Sequence, residues 1–197
     1  MKQAFFARHA ESDYSVKGLL NGDLSVSVGL TDAGRAQVTR LHESLRKVPV
    51  DLCVTTQLER VRLTADGALE GRDVPRLVIP ELNDPLYGPY EGRGIEDYRT
   101  WATAATSRDS PGDGGESRYA IVERYALGFR IVLDRDEETV LVVAHSLPIS
   151  YLLGALEGLA PAAKAPLVPY AVPYGLTAEE LGRAIDVLDA WLAAPTW

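Results

Sequence analysis

The sequence predicts an α/β fold in three layers, a mostly parallel central sheet with helices on both faces, and three observations predict it. Short continuous apolar runs occur at 3–7 (QAFFA), 50–56 (VDLCVTT) and 139–144 (TVLVVA), each bounded by polar residues. Unbroken runs of that length fit strands covered on both faces, as in a parallel sheet under helices. Between and after them lie segments whose apolar residues recur at helical spacing. Strands and helices thus alternate along the chain, the order that an α/β sheet requires. A length of 197 residues suits a single domain, taken as 1–197.

Taken in order, QAFFA is the first strand. LTDAGRAQVTRLHESLRKV follows as a helix, with Thr31 as its cap and Ala33, Ala36, Val38, Leu41 and Leu45 at apolar or small positions. VDLCVTT is the next strand, ERVRLTADGAL a helix ending near Gly71, and PRLVI a short further strand. From 83 to 118 the chain is rich in Gly, Pro, Asp and Tyr, and TWATAAT is its one helical insert. Long irregular stretches inside compact domains are usually functional. ESRYAIVERYALGFRIVLD reads as a helix with Tyr119, Val122, Ala126, Phe129 and Val132 on its apolar face, leading into TVLVVA and a helix from about Pro148 to Leu156. The final helix begins at TAEEL, where Thr177 and Glu180 form a capping box.

Composition narrows the function. A net charge of −8 repels nucleic-acid phosphates and anionic lipid, so neither is an expected partner. No apolar run approaches the roughly 18 residues of a membrane span, and the first residues are too weakly apolar for a secretory leader. The expected compartment is the cytoplasm. Cys53 is the single cysteine, which excludes an intrachain disulfide and a multi-cysteine metal site. A small-molecule partner is expected, and arginines at 8, 60, 62 and 93 in so acidic a chain suggest that it is anionic.

Two strands end in histidine: QAFFA runs into Arg8 and His9, and TVLVVA into His145. In open α/β sheets ligands bind beyond the carboxyl ends of the strands, where both imidazoles emerge. A neutral imidazole is nucleophilic near pH 7 and can take a phosphoryl group from an ester. Guanidinium groups would hold the phosphoryl oxygens, and an acid must protonate the departing alcohol.

The motifs in which these residues lie resemble those of the histidine phosphatase superfamily, the phosphoglycerate mutase-like fold. Arg8-His9-Ala10-Glu11-Ser12 is similar to Arg-His-Gly-Glu-Thr/Ser, LTDAGRAQ to Leu-Thr-x-x-Gly-x-x-Gln, and TQLERVRLTA to Ser-x-Leu-x-Arg-Ala-x-x-Thr-Ala. LNDPLYGPYEG resembles the acidic loop Leu-x-Glu-x-x-x-Gly-x-x-Glu-Gly, DGGESRY a Gly-Gly-Glu-Ser helix start, and VLVVAHSLPI the last catalytic segment. The matches run in family order over about residues 3–156. The resemblance implies a phosphomonoesterase acting on a small phosphorylated metabolite, with His9 as nucleophile, Asp84 as general acid and Arg8, Arg60 and His145 around the phosphate. It also puts Ser15 and Ser146 beside the substrate, with Glu81 as the alternative acid. No metal and no cofactor are implied.

Several positions depart from the pattern. Ala10 replaces glycine, which fits if its φ is negative. Ser15 stands where asparagine is common, Ser146 where glycine is usual, and Asp84 is one methylene shorter than the usual glutamate. Glu11 is expected to pair with a pocket arginine, His42 to be solvated, and Tyr87, Tyr90, Tyr98 and Trp101 either to wall a pocket or simply to pack their loop. Tyr170 and Tyr174 could pack an edge strand or reach a partner chain, which leaves a homodimer open. The rival functions are a mutase, ranked second because mutases carry an extra closing segment, and a family member that binds phosphorylated ligands without turnover.

Overall fold

The computed structural model describes all 197 residues. Five strands, β1 (Gln3–Arg8), β2 (Leu52–Thr55), β3 (Arg76–Val78), β4 (Thr139–Ala144) and β5 (Pro173–Thr177), form one sheet in the order β3-β2-β4-β1-β5. The first four run parallel and β5 lies antiparallel on the β1 edge. The mostly parallel sheet read from the sequence is therefore present. Pro173 opens the edge strand β5, a position where a missing N–H costs no ladder bond.

Because successive side chains of a strand point to opposite faces, each central strand feeds two cores. Ala4, Phe6, Val140, Val142 and Ala144 join the larger one, under α4 (Arg118–Leu133), α5 (Ser146–Leu156) and α6 (Ala178–Ala193). There Phe129 of α4 meets Phe6 edge-on, with ring centroids 5.8 Å apart. Ala7, Cys53, Leu141 and Val143 join the smaller one, under α1 (Asp32–Leu45) and α2 (Glu59–Ala68). All six residues of β4 are buried, which is why its sequence is apolar without alternation. At roughly 1.5–3 kcal/mol for each large apolar side chain removed from water, these two layers supply the main driving force of the fold.

Local signals placed most helix ends. The Thr31 hydroxyl accepts from Gly34 N at 2.9 Å, and Thr177 and Glu180 make the reciprocal capping bonds. Gly34 is required: a Cβ there would stand 2.1 Å from the Glu11 carbonyl oxygen, so only glycine lets α1 approach the chain leaving β1 so closely. Some expectations shift. Ala33 and Ala36 are exposed, and Val38, Leu41 and Leu45 carry the buried stripe with Gly34. The helical insert is α3 (Ile95–Ala104), which starts five residues before TWATAAT behind Gly94, with Glu96 and Asp97 favoured at its positive end. Helix α5 begins two residues before Pro148, which its first turn tolerates because those N–H groups have no intrahelical partner. No helix is long and apolar enough to cross a membrane.

Topology positions the site. β1 and β4 are parallel neighbours with Arg8 opposite Ala144, so residues 9 and 145 leave the sheet side by side. The chain leaving β1 turns to α1 on one face and the chain leaving β4 turns to α5 on the other. That divergence opens a crevice at the carboxyl edge.

Candidate active site

His9 and His145 emerge at that crevice with ring centroids 5.4 Å apart, and His9 N donates to Ala144 O at 2.8 Å, continuing the ladder by one bond. His9 Nδ1 lies 2.7 Å from the Ala10 carbonyl. A carbonyl only accepts, so Nδ1 carries the hydrogen and the Nε2 lone pair faces inward. Arg60 Nε donates to that Nε2 at 3.2 Å. Burial, then the charges of Arg60, His145 and Arg8, holds His9 well below the ordinary imidazole range; burial and Arg60, Arg124 and Arg8 do the same to His145. Both rings are neutral near pH 7.

Arg60, at the start of α2, is the hub. Its Nη1 donates to Asn21 Oδ1 at 2.6 Å, and its Nη2 donates to Asn21 O and to Asp84 Oδ2, both at 2.8 Å. His145 Nδ1 lies 3.3 Å from the same Asp84 oxygen, and its Nε2 is 3.0 Å from Thr56 Oγ1 at the end of β2. Burial raises the Asp84 carboxyl above its usual range, against the opposing pull of Arg60 and Arg8. Thr64, one turn along α2, donates to Arg60 O at 2.7 Å and accepts from Ala10 N at 2.9 Å, tying the second arginine segment to the first histidine segment.

Arg8 is anchored differently. Its Nη1 donates to Val168 O at 2.8 Å and its guanidinium carbon lies 3.8 Å from the Tyr170 ring centroid, a stacked cation–π contact. Val168 N in turn donates to Ser146 Oγ at 2.9 Å. The segment after α5 is thus pinned at one residue by both strand ends.

The structure brings Arg8, His9, Arg60, Asp84 and His145 into one cluster. Arg8, His9, Ser15, Arg60, Asp84 and Ser146 line one cleft. His145 is fully buried and lies behind Asp84 and Arg60, outside the cleft lining. Ser15 directs its hydroxyl to Ser12, accepting from Ser12 N at 2.8 Å. Glu81 is not among the lining residues, and its carbonyl receives Arg124 Nη1 at 2.8 Å. No group of three or more His, Cys, Asp or Glu side chains is arranged to hold a metal ion.

The structure decides the other readings. Glu11 accepts from the Thr31 hydroxyl at 2.7 Å and pairs with no arginine, because the α1 cap lies nearer. His42 is half-buried, with Nδ1 3.2 Å from Ala68 O. Arg62 and Arg93 are exposed, and Tyr170 turns inward onto Arg8. Tyr87 and Tyr98 wall the cleft, whereas Tyr90 and Trp101 pack behind Tyr98. Ala10 has no positive φ, so its methyl is unstrained. Sequence reasoning missed Asn21, Thr56, Thr64 and Tyr170; the threonines stand in or beside the quoted TQLERVRLTA motif, but nothing local marks Asn21 or Tyr170.

Comparison with known proteins identifies the family. The family model for the histidine phosphatase superfamily (branch 1) matches residues 4–184. An adenosylcobalamin/α-ribazole phosphatase of Salmonella typhimurium is 34% identical over 161 residues, 77% of this chain and 78% of that protein. A 2,3-bisphosphoglycerate-dependent phosphoglycerate mutase of Methylobacterium is 34% identical over 169 residues, 78% of this chain and 79% of its own. The crystal structure of the α-ribazole phosphatase from Shigella flexneri superimposes with a TM-score of 0.73 at 26% identity, covering 88% of this chain and 89% of that one. With that model spanning the sheet and both histidine segments, the chain belongs to the histidine phosphatase superfamily, branch 1.

Proposed function

We propose that this protein is a phosphomonoesterase that hydrolyses a small phosphorylated metabolite through a phosphohistidine on His9. The observation that carries the reading is the environment of His9: a neutral imidazole whose proton is held at Nδ1 by the Ala10 carbonyl and whose Nε2 faces a guanidinium. Nε2 attacks phosphorus in line and forms a P–N bond as the ester P–O bond breaks. Arg8 and Arg60 neutralise the charge gathering on the phosphoryl oxygens, with His145 backing Arg60 and Asp84 from behind. Asp84, kept protonated to higher pH than an ordinary carboxyl, gives its proton to the departing alkoxide. Water then attacks phosphorus, Asp84 recovers a proton from it, and His9 is released with inorganic phosphate.

The similarity to phosphatases at 34% identity supports hydrolysis as the reaction class. Transfer to a second substrate hydroxyl, as in the mutase relatives, would use the same phosphohistidine. Such a metabolite is met in the cytoplasm, and the lone buried Cys53, its thiol pushed up to about 11 by burial, asks for no oxidising compartment.

The test is turnover of p-nitrophenyl phosphate and of a panel containing α-ribazole 5′-phosphate and 3-phosphoglycerate, with chelator present. Hydrolysis abolished by His9→Ala, with ³²P retained on the denatured wild-type protein, is expected. Turnover surviving His9→Ala would overturn the reading. Interconversion of phosphoglycerates without net phosphate release would select the mutase, and inertness to the whole panel the binding module.

A further inference from the structure

Arg118, the first residue of α4, is a buried positive charge without an anionic partner. It is 6% exposed, lines the cleft, and has Tyr98 and Ala163 as neighbours rather than the histidines. From Nη2 it donates to Ala163 O at a long 3.3 Å, the Tyr151 hydroxyl, itself donating to Ala162 O, stands close by, and Nε and Nη1 have no acceptor within hydrogen-bond distance. The Tyr98 hydroxyl beside it is unpartnered too. It makes no ion pair, and the acids nearby are committed: Glu116 to Arg124 at 2.7 and 2.8 Å, Glu96 to Arg99 and Lys164, Asp84 to Arg60.

Three costs coincide at this residue. A buried charge loses its hydration, an unmatched donor loses its hydrogen bond, and the positive end of a helix repels a cation. An apolar side chain of similar length would be at least as stable in that position. Arginine there is explained by a counter-charge that arrives with the ligand. Turning the guanidinium toward an anion in the cleft gives up the long bond to Ala163 O and the contact 5.2 Å from the Tyr98 ring centroid, both to neutral groups.

We propose that Arg118 binds a second acidic group, a carboxylate or phosphate, on the alcohol portion of the substrate. Leu19, Leu20, Ile95 and Leu167 of the cleft wall would cover an apolar body between that group and the scissile phosphate. This rests on the phosphomonoesterase reading, and it makes the substrate an anionic phosphomonoester with charge at both ends.

The experiment measures kcat/KM for ω-carboxyalkyl phosphates over a graded series of chain lengths, beside n-alkyl phosphates and α,ω-alkane bisphosphates of the same lengths. A preference of about tenfold or more for one acid-bearing series, peaking at one length, is expected; the series that peaks identifies carboxylate or phosphate. Arg118→Met should bring the ratio of acidic to neutral substrate to about unity, and Arg118→Lys should keep part of it. Because the ratio is taken on one protein, general damage cancels. If Arg118→Met does not fold, the length-dependent preference of the intact chain decides. Equal rates at every length, or a preference that survives Arg118→Met, would overturn the proposal while p-nitrophenyl phosphate turnover kept the phosphatase reading standing. No turnover even of p-nitrophenyl phosphate would sink both.

Discussion

Asp84→Asn isolates the proposed acid from the rest of the cluster. Asparagine keeps the size of the side chain and an oxygen for Arg60 Nη2, now 2.8 Å from Asp84 Oδ2, so the hub should hold its place. What disappears is the transferable proton. General-acid assistance is worth about 10²–10⁴ in rate, or roughly 3–5 kcal/mol of barrier. The full loss should appear on an alkyl phosphate, whose alkoxide leaves poorly. On p-nitrophenyl phosphate, whose phenolate leaves unaided, the loss should be about tenfold or less. Replacing the ion pair with a bond from Arg60 to a neutral amide oxygen should cost about 1–2 kcal/mol of stability, read as a Tm lower by several degrees. The pH profile gives an internal check. His9 must be unprotonated and lies well below the usual imidazole range, while Asp84 must be protonated and lies above the usual carboxyl range. The wild-type profile of kcat/KM on alkyl phosphates is therefore a bell leaning acid, and Asp84→Asn should erase its alkaline limb. Equal losses on the two leaving groups would refute the acid assignment, as would Glu81→Gln reproducing the alkyl-selective defect.

Arg60→Lys keeps the charge but cannot reach His9, Asn21 and Asp84 together, so kcat/KM should fall by about 10²–10³; a loss under threefold in steady-state kinetics would contradict the hub role. Both histidines are depressed by burial, so the unfolded chain takes up protons below about pH 6.5 that the folded chain refuses. Their stabilising effect is present above that pH and lost on acidification, by up to about 1.4 kcal/mol per pH unit for each ring; urea midpoints against pH should show this slope halved in His9→Gln. Gly34→Ala places a methyl 2.1 Å from Glu11 O and should cost about 2 kcal/mol or more, visible as a lower urea midpoint. Ser146→Ala leaves the buried Val168 N–H without its acceptor, which should cost about 1–3 kcal/mol and raise KM as Arg8 and Tyr170 loosen; an unchanged KM would argue against that anchor.

Much of the architecture was legible because its causes are local. The limits of β4 follow from five consecutive apolar residues opened by a threonine, and the start of α6 from a threonine and a glutamate three residues apart. The helix in the irregular stretch was placed too late, since Tyr98 and Ala102 are its only buried residues and its pattern is weak. Glu11 was misread because residue type shows that a carboxylate needs a donor but not which donor comes within reach.

By itself the sequence determined the strand and helix order, the capping residues and the presence of histidines, arginines and an acid in recognisable motifs; these depend on neighbours a few positions apart. Tertiary structure alone decided that Arg8 pairs in register with Ala144, that Asn21 rather than Glu11 receives Arg60, that Tyr170 stacks on Arg8, and that Arg118 is buried with no acid beside it. Those facts join residues 39 to 162 positions apart, such as Asn21 with Arg60 and Arg8 with Tyr170. The register of the sheet and the packing of helices on its faces bring such residues together, and no short stretch of chain contains that information.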